Sequence, residues 1–82
     1  MTSTIQRPPM RANTEAITGT AGATGSIKTP YTVNDVVISA YVGSGHMGIL
    51  FVYSGDWYVR FYDDSFTPLK NQSVTYNIVT LK

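Results

Sequence analysis

His46 is the only histidine in the sequence, so any Ser-His-Asp arrangement must use it, and Ser44 lies two residues away. A serine hydrolase also needs an acid to orient the imidazole and donors for an oxyanion, and no residues at a matching spacing supply them. The surrounding Gly43-Ser44-Gly45-His46-Met47-Gly48 lacks the Gly-Lys-Ser/Thr ending of a phosphate loop. Asp56, Asp63 and Asp64 form the second candidate group. Oxygen-rich turns can hold calcium, but the spacing is not that of an EF-hand loop and the terminal glutamate is missing. Adjacent carboxylates at a strand end diverge, which argues against paired acid and base work on a glycoside. The histidine is therefore assigned to a loop and the aspartates to turns. No catalytic, metal-binding or cofactor-binding residue follows, and the chain is expected to be non-enzymatic.

The residues best suited to recognition are Tyr58, Arg60 and Tyr62, which alternate along one face of a strand. Tyrosine and arginine combine large contact area with hydrogen-bonding tips, which suits subunit interfaces and the stacking of sugar rings. These three are the predicted binding or interface residues.

The element that carries them is the stretch Met47 to Tyr62, two apolar and aromatic runs broken by Ser54-Gly55-Asp56, the pattern of a β-hairpin. In its second arm Trp57, Val59 and Phe61 share the opposite face. Four further strands are expected. They are Glu15 to Thr20; Ser26 to Val33, where Pro30 requires an edge or a bend; Val36 to Val42, with Val36, Ile38, Ala40 and Val42 on one face; and Ser73 to Leu81. The glycines of Gly19 to Gly25 recur every third residue but are too few for a collagen-like helix, and they mark a turn. No window carries a helical period. The expected fold is all-β, a small antiparallel β-sandwich of jelly-roll or immunoglobulin-like character over residues 15–82. Residues 1–14, with Pro8 and Pro9 and few aliphatic side chains, form an extended or disordered N-terminal arm. Ile49, Phe51, Trp57, Val59, Phe61, Val74, Tyr76 and Ile78 are the expected core.

Composition narrows the partners. Six basic residues oppose five acidic ones with no block of either sign, so no nucleic-acid partner is expected. The longest apolar run, Gly48 to Tyr53, falls far short of the ~20 residues that span a bilayer, and no membrane partner is expected. The start of the chain does not have the pattern of a signal peptide, and Asn71-Gln72-Ser73 has no consequence as a glycosylation acceptor without one. Eighty-two residues without cysteine leave a small core and no disulfide to brace it, which favours association of subunits. Charged residues make up 13%, against about a quarter in average globular proteins, a bias common in assembled β-rich structural proteins.

From Ser26 to Lys82 the sequence resembles small C-terminal β-modules of bacteriophage and prophage tail-associated proteins, such as tail fibres, baseplate proteins and receptor-binding appendages. The residues that carry the likeness are VVISAYV, then ILFVYSGDWYVRFYDDSFTPLKNQ, then the closing SVTYNIVTLK. The resemblance implies a structural role in a virion, as a tail-associated or capsid accessory module made in the bacterial host cytoplasm. It implies a homo-oligomer, with a trimer favoured, contacting other virion proteins. It brings no catalytic residues. The alternative is a carbohydrate- or host-receptor-binding module that reaches a host-surface glycan through exposed aromatic residues; a small enzyme or inhibitor, relying on His46 or the aspartates, is the third.

Overall fold

The computed structural model describes residues 11–43 and 46–82. Six strands follow one another: β1 (Ala12–Thr20), β2 (Ser26–Thr32), β3 (Val36–Tyr41), β4 (Gly48–Tyr53), β5 (Asp56–Phe61) and β6 (Ser73–Leu81). They form two antiparallel sheets, β1-β6-β3 and β2-β5-β4, so the fold is the expected small β-sandwich. β1 begins at Ala12, and Ala12, Asn13 and Thr14 pair with Leu81, Thr80 and Val79. The sheet therefore starts inside the segment expected to be an arm. The rest of that segment, residues 1–10, lies outside the described residues.

The two central strands supply most of the core. Strict alternation on β6 turns Val74, Tyr76, Ile78 and Thr80 inward, and alternation on β5 does the same for Val59 and Phe61. The Phe61 and Tyr76 rings meet across the two sheets with centroids 5.4 Å apart and planes tilted by 48°. Ala21, Ile27, Thr29 and Ala40 complete the buried set. Thr29 is satisfied there by donating its hydroxyl to the Trp57 carbonyl at 2.8 Å.

Three expectations about facing are overturned. Ile49 and Phe51 are not core residues. The Ser54-Gly55 turn holds both residues at positive φ, 51° and 82°, as a two-residue hairpin turn requires, and this fixes Tyr53 opposite Asp56. Gly48, Leu50 and Val52 then oppose Phe61, Val59 and Trp57 on the inward side, while Ile49 and Phe51 oppose Arg60 and Tyr58 on the outer side. Trp57 is half-buried at one end of the sandwich, where its indole N–H donates to the Asp35 carbonyl at 3.1 Å and pins the β2-β3 turn. On β3 a bulge between Val37 and Ser39 breaks the alternation. Val37 opposes Thr80 and Ala40 opposes Ile78, both inward, so Val36 and Ile38 are left about half exposed, at 47% and 50%.

Gly48 has a steric role. A Cβ there would run into Val59 and would lie 2.7 Å from the Phe61 ring, so only glycine lets that ring occupy the core. Pro30 lies on edge strand β2 within an irregular stretch between Lys28 and Thr32, as its missing N–H requires.

Candidate functional site

The predicted recognition residues extend outward from the β2-β5-β4 sheet. Tyr58 is half-buried between its β4 neighbours: the Phe51 ring stacks on it at 5.6 Å and 19°, and the Tyr53 ring meets it edge-on at 5.7 Å and 80°. Arg60 lies over the other side of Phe51, its guanidinium 5.3 Å from the ring centroid, and donates to the Ser26 hydroxyl at 2.9 Å. Its Nε is buried without a partner among the described residues. Lys28 and Asp56 close the opposite end of the face with an ion pair at 3.6 Å. Tyr58 and Arg60 therefore belong to one row, Tyr53, Tyr58, Phe51 and Arg60, whose members largely satisfy one another. Only Tyr53, 66% exposed, presents most of its surface outward.

Tyr62 falls just beyond β5, where it bridges to Pro68. With His46, Met47, Ile49, Asp63, Asp64 and Phe66 it lines an open cleft of about 380 Å³. The loop beside it is held by the Asp63 carboxylate, which accepts the backbone N–H groups of Ser65 at 2.8 Å and Thr67 at 3.0 Å. Phe66 stands at the tip of that loop, 88% exposed and at φ 60°, a conformation that bulky residues rarely adopt.

The groups weighed for catalysis do not converge. Asp63 serves the turn, as expected of it. Asp56 lies at the far end of β5 from Asp63 and Asp64, a strand length on the order of 20 Å away. The His46 imidazole approaches only Asp64, at 3.3 Å, and that carboxylate is open to solvent. Ser44 lies outside the described residues. Among the described residues no three histidine, cysteine or carboxylate side chains gather as metal ligands.

A small polar group occupies the β1-β2 side. Tyr31 donates its hydroxyl to Glu15 at 3.2 Å, and burial followed by the charge of Glu15 raises its pKa. Tyr76 is wholly buried, its hydroxyl has no partner among the described residues, and burial reinforced by Glu15 and Tyr31 pushes its pKa up to about 12. Both phenols are therefore protonated at neutral pH.

The surface that sequence reasoning missed is the outer face of β1-β6-β3. The register that turns Val74, Tyr76, Ile78 and Thr80 inward turns Ala12, Thr14, Ala16, Thr18 and Thr20 of β1 outward. Thr75, Asn77, Val79 and Leu81 of β6 and Val36, Ser39 and Tyr41 of β3 join them. No charged side chain stands among them. Thr18 and Thr75 pair their hydroxyls across the strands at 2.9 Å. A solvated sheet face ordinarily carries charge. The signal available in the sequence was that β3 and β6 contain no Asp, Glu, Lys or Arg and β1 contains only Glu15.

Comparison with protein-family models, with curated proteins and with solved structures finds no match for this chain.

Proposed function

We propose that this chain is a non-enzymatic assembly module, a β-sandwich that associates with further copies of itself and serves in a virion as a tail-associated or capsid accessory part. The observation that carries the assembly reading is the uncharged outer face of β1-β6-β3. Three strands contribute to it, and desolvating it removes no ion from water, so the cost that usually keeps sheet faces apart is missing. The virion setting rests on the resemblance of the Ser26 to Lys82 segment to phage tail-associated modules and on the low charge of the whole chain.

Light scattering on the purified chain, compared with Ala16→Lys, tests the reading. Ala16 is exposed midway along β1 on the outer face, opposite Asn77 of the central strand, so a lysine there leaves the core untouched while placing a charge in the contact. The expected result is an oligomer for the parent chain and a folded monomer for the variant. A parent chain that is monomeric at every concentration, or a variant as oligomeric as the parent, overturns the reading.

A second reading, recognition of a sugar by the Phe51 and Tyr53 rings, is favoured by the exposure of Tyr53 beside Arg60. Glycan-array binding that disappears in Tyr53→Ala, with the oligomeric state unchanged, is the result that would support it.

A further inference from the structure

The cleft just beyond β5 combines apolar walls with unbalanced negative charge. Met47 is 72% exposed and Ile49 58%, and both stand in it beside Tyr62 and the still more exposed Phe66. Asp63 and Asp64 supply the charge, and no lysine or arginine lines the cleft. Asp63 is committed to its loop: besides the two N–H groups its carboxylate accepts, its carbonyl accepts the Phe66 N–H at 3.0 Å, which braces the loop where it presents that ring. Asp64 has a 3.3 Å approach from His46 as its one ion contact among the described residues, and its side chain is open to solvent. Keeping a bulky residue at positive φ while its ring buries almost nothing costs a lone chain stability, and strain of this kind collects where a ligand is clamped.

The chain carries a segment of matching chemistry. Residues 1–10 hold one charged side chain, Arg7, set among Ile5, Pro8, Pro9 and Met10. Proline fixes its own φ and biases the residue before it toward extended backbone, so a sequence such as Arg7-Pro8-Pro9 favours polyproline II and loses little entropy on docking. Aromatic-lined grooves take segments of this type, and a guanidinium grips an exposed carboxylate through two parallel hydrogen bonds.

That segment is too short to reach the cleft of its own chain. It joins the sandwich at Arg11, which exchanges backbone hydrogen bonds with Lys82 at the end where Ala12, Leu81 and Val36 lie side by side. The cleft lies at the other end of the strands, where Tyr41 of β3 bridges to Met47. From Val36 to Tyr41, β3 alone covers roughly 17 Å. Pro9 is two residues from Arg11 and Arg7 is four, spans of at most about 7 and about 14 Å. The cleft within reach is that of another copy.

We propose that Arg7-Pro8-Pro9 of one copy docks in this cleft of a second copy, with the prolines against Tyr62 and Phe66 and the Arg7 guanidinium on the Asp64 carboxylate. The proposal rests on the self-association proposed above and names a contact for it apart from the β1-β6-β3 face. Segment and cleft are different surfaces, so the contact is head-to-tail, the kind that generates rings.

Sedimentation of the full chain across a dilution series tests this with Arg7→Glu, Asp64→Arg, the two combined, and Phe66→Asn. The Asp64 side chain is 97% exposed, so reversing its charge leaves the core untouched. Each single reversal sets like charges in the contact and is expected to weaken association roughly tenfold or more, whereas the combined variant restores an opposite pair and is expected to recover it. An equimolar mixture of the Arg7→Glu and Asp64→Arg chains is expected to associate more tightly than either alone, because the contact runs between copies. Phe66→Asn is expected to stay folded and to associate more weakly. Single reversals that associate as the parent does, a combined variant or a mixture no tighter than its parts, or an unaffected Phe66→Asn chain overturn the cleft contact while the assembly reading stands. A parent chain monomeric at every concentration overturns both.

Discussion

Tyr76→Phe is the substitution with the clearest expected sign. The Tyr76 hydroxyl is fully buried and has no hydrogen-bond partner among the described residues, so the folded state bears its desolvation without compensation, a cost of about 1–3 kcal/mol. The ring itself packs against Phe61 and is unchanged by removing one oxygen. Taking the lower end of that range, because the small void left behind gives some of the gain back, the variant is expected to be about 1 kcal/mol more stable at neutral pH. In a chain of this size that raises the melting temperature by roughly 4–8 °C. A second signature follows from titration. The phenol pKa is about 12 in the folded chain against 10.0 for a free tyrosine. Below pH 10 both states hold the proton and the stability is unaffected. Between pH 10 and 12 the unfolded chain has released the proton and the folded chain has not, so the parent loses stability at ~1.4 kcal/mol per pH unit, on the order of 2.7 kcal/mol over the window. Phenylalanine has no proton to lose. Tyr31, also raised, titrates in both chains, so that only its coupling to Tyr76 enters the difference. Urea unfolding followed by Trp57 fluorescence, at about pH 8 and about pH 11.5, measures both effects, and the advantage of the variant is expected to widen by about 2 kcal/mol between them. A variant less stable than the parent at pH 8, or an advantage that stays constant with pH, refutes the reasoning, because either result means that the hydroxyl is partnered in solution.

Gly48→Ala drives a methyl group into Val59 and Phe61 and is expected to destabilise the fold by about 1–3 kcal/mol, read as a lower urea midpoint at constant slope. Phe66→Asn removes a bulky residue from a left-handed conformation where its side chain buries almost nothing, and is expected to raise stability by about 1 kcal/mol in the same assay. An unchanged or lower midpoint would mean that the Phe66 ring packs on its loop more than its exposure implies.

How legible the fold was depends on how each strand announces its faces. Trp57 to Tyr62 and Ser73 to Leu81 alternate cleanly, and the structure turns Val59, Phe61, Val74, Tyr76 and Ile78 inward as their spacing predicts. β4 is apolar on both faces, so its composition carries no phase. Its facing was written only in the Ser54-Gly55 turn, which transmits the phase of β5 to β4 and puts Leu50, not Ile49 or Phe51, toward the core. β3 was misread because its bulge inserts a residue that no pattern of side chains marks. Of the candidate site, the adjacency of Tyr58 and Arg60 was legible because both lie on one strand. The uncharged face of β1-β6-β3 was not, because it exists only once strands from both ends of the sequence are set side by side.

That pairing of β1 and β6 also orders the events of folding. The central strand of the first sheet is the last strand in the sequence, with β1 and β3 as its only neighbours. The β2-β5-β4 sheet can form as soon as β5 is synthesised, and Tyr41 at the end of β3 bridges to Met47, but β1 and the rest of β3 have no strand to pair with among the described residues until Ser73–Leu81 has left the ribosome. Until then the chain holds two strands in waiting, and the contact that ends the wait spans most of its length, the kind of closure that slows folding. Completion of this domain is therefore a single late step, and a nascent chain stalled before β6 holds the β2-β5-β4 sheet without the sheet that packs against it.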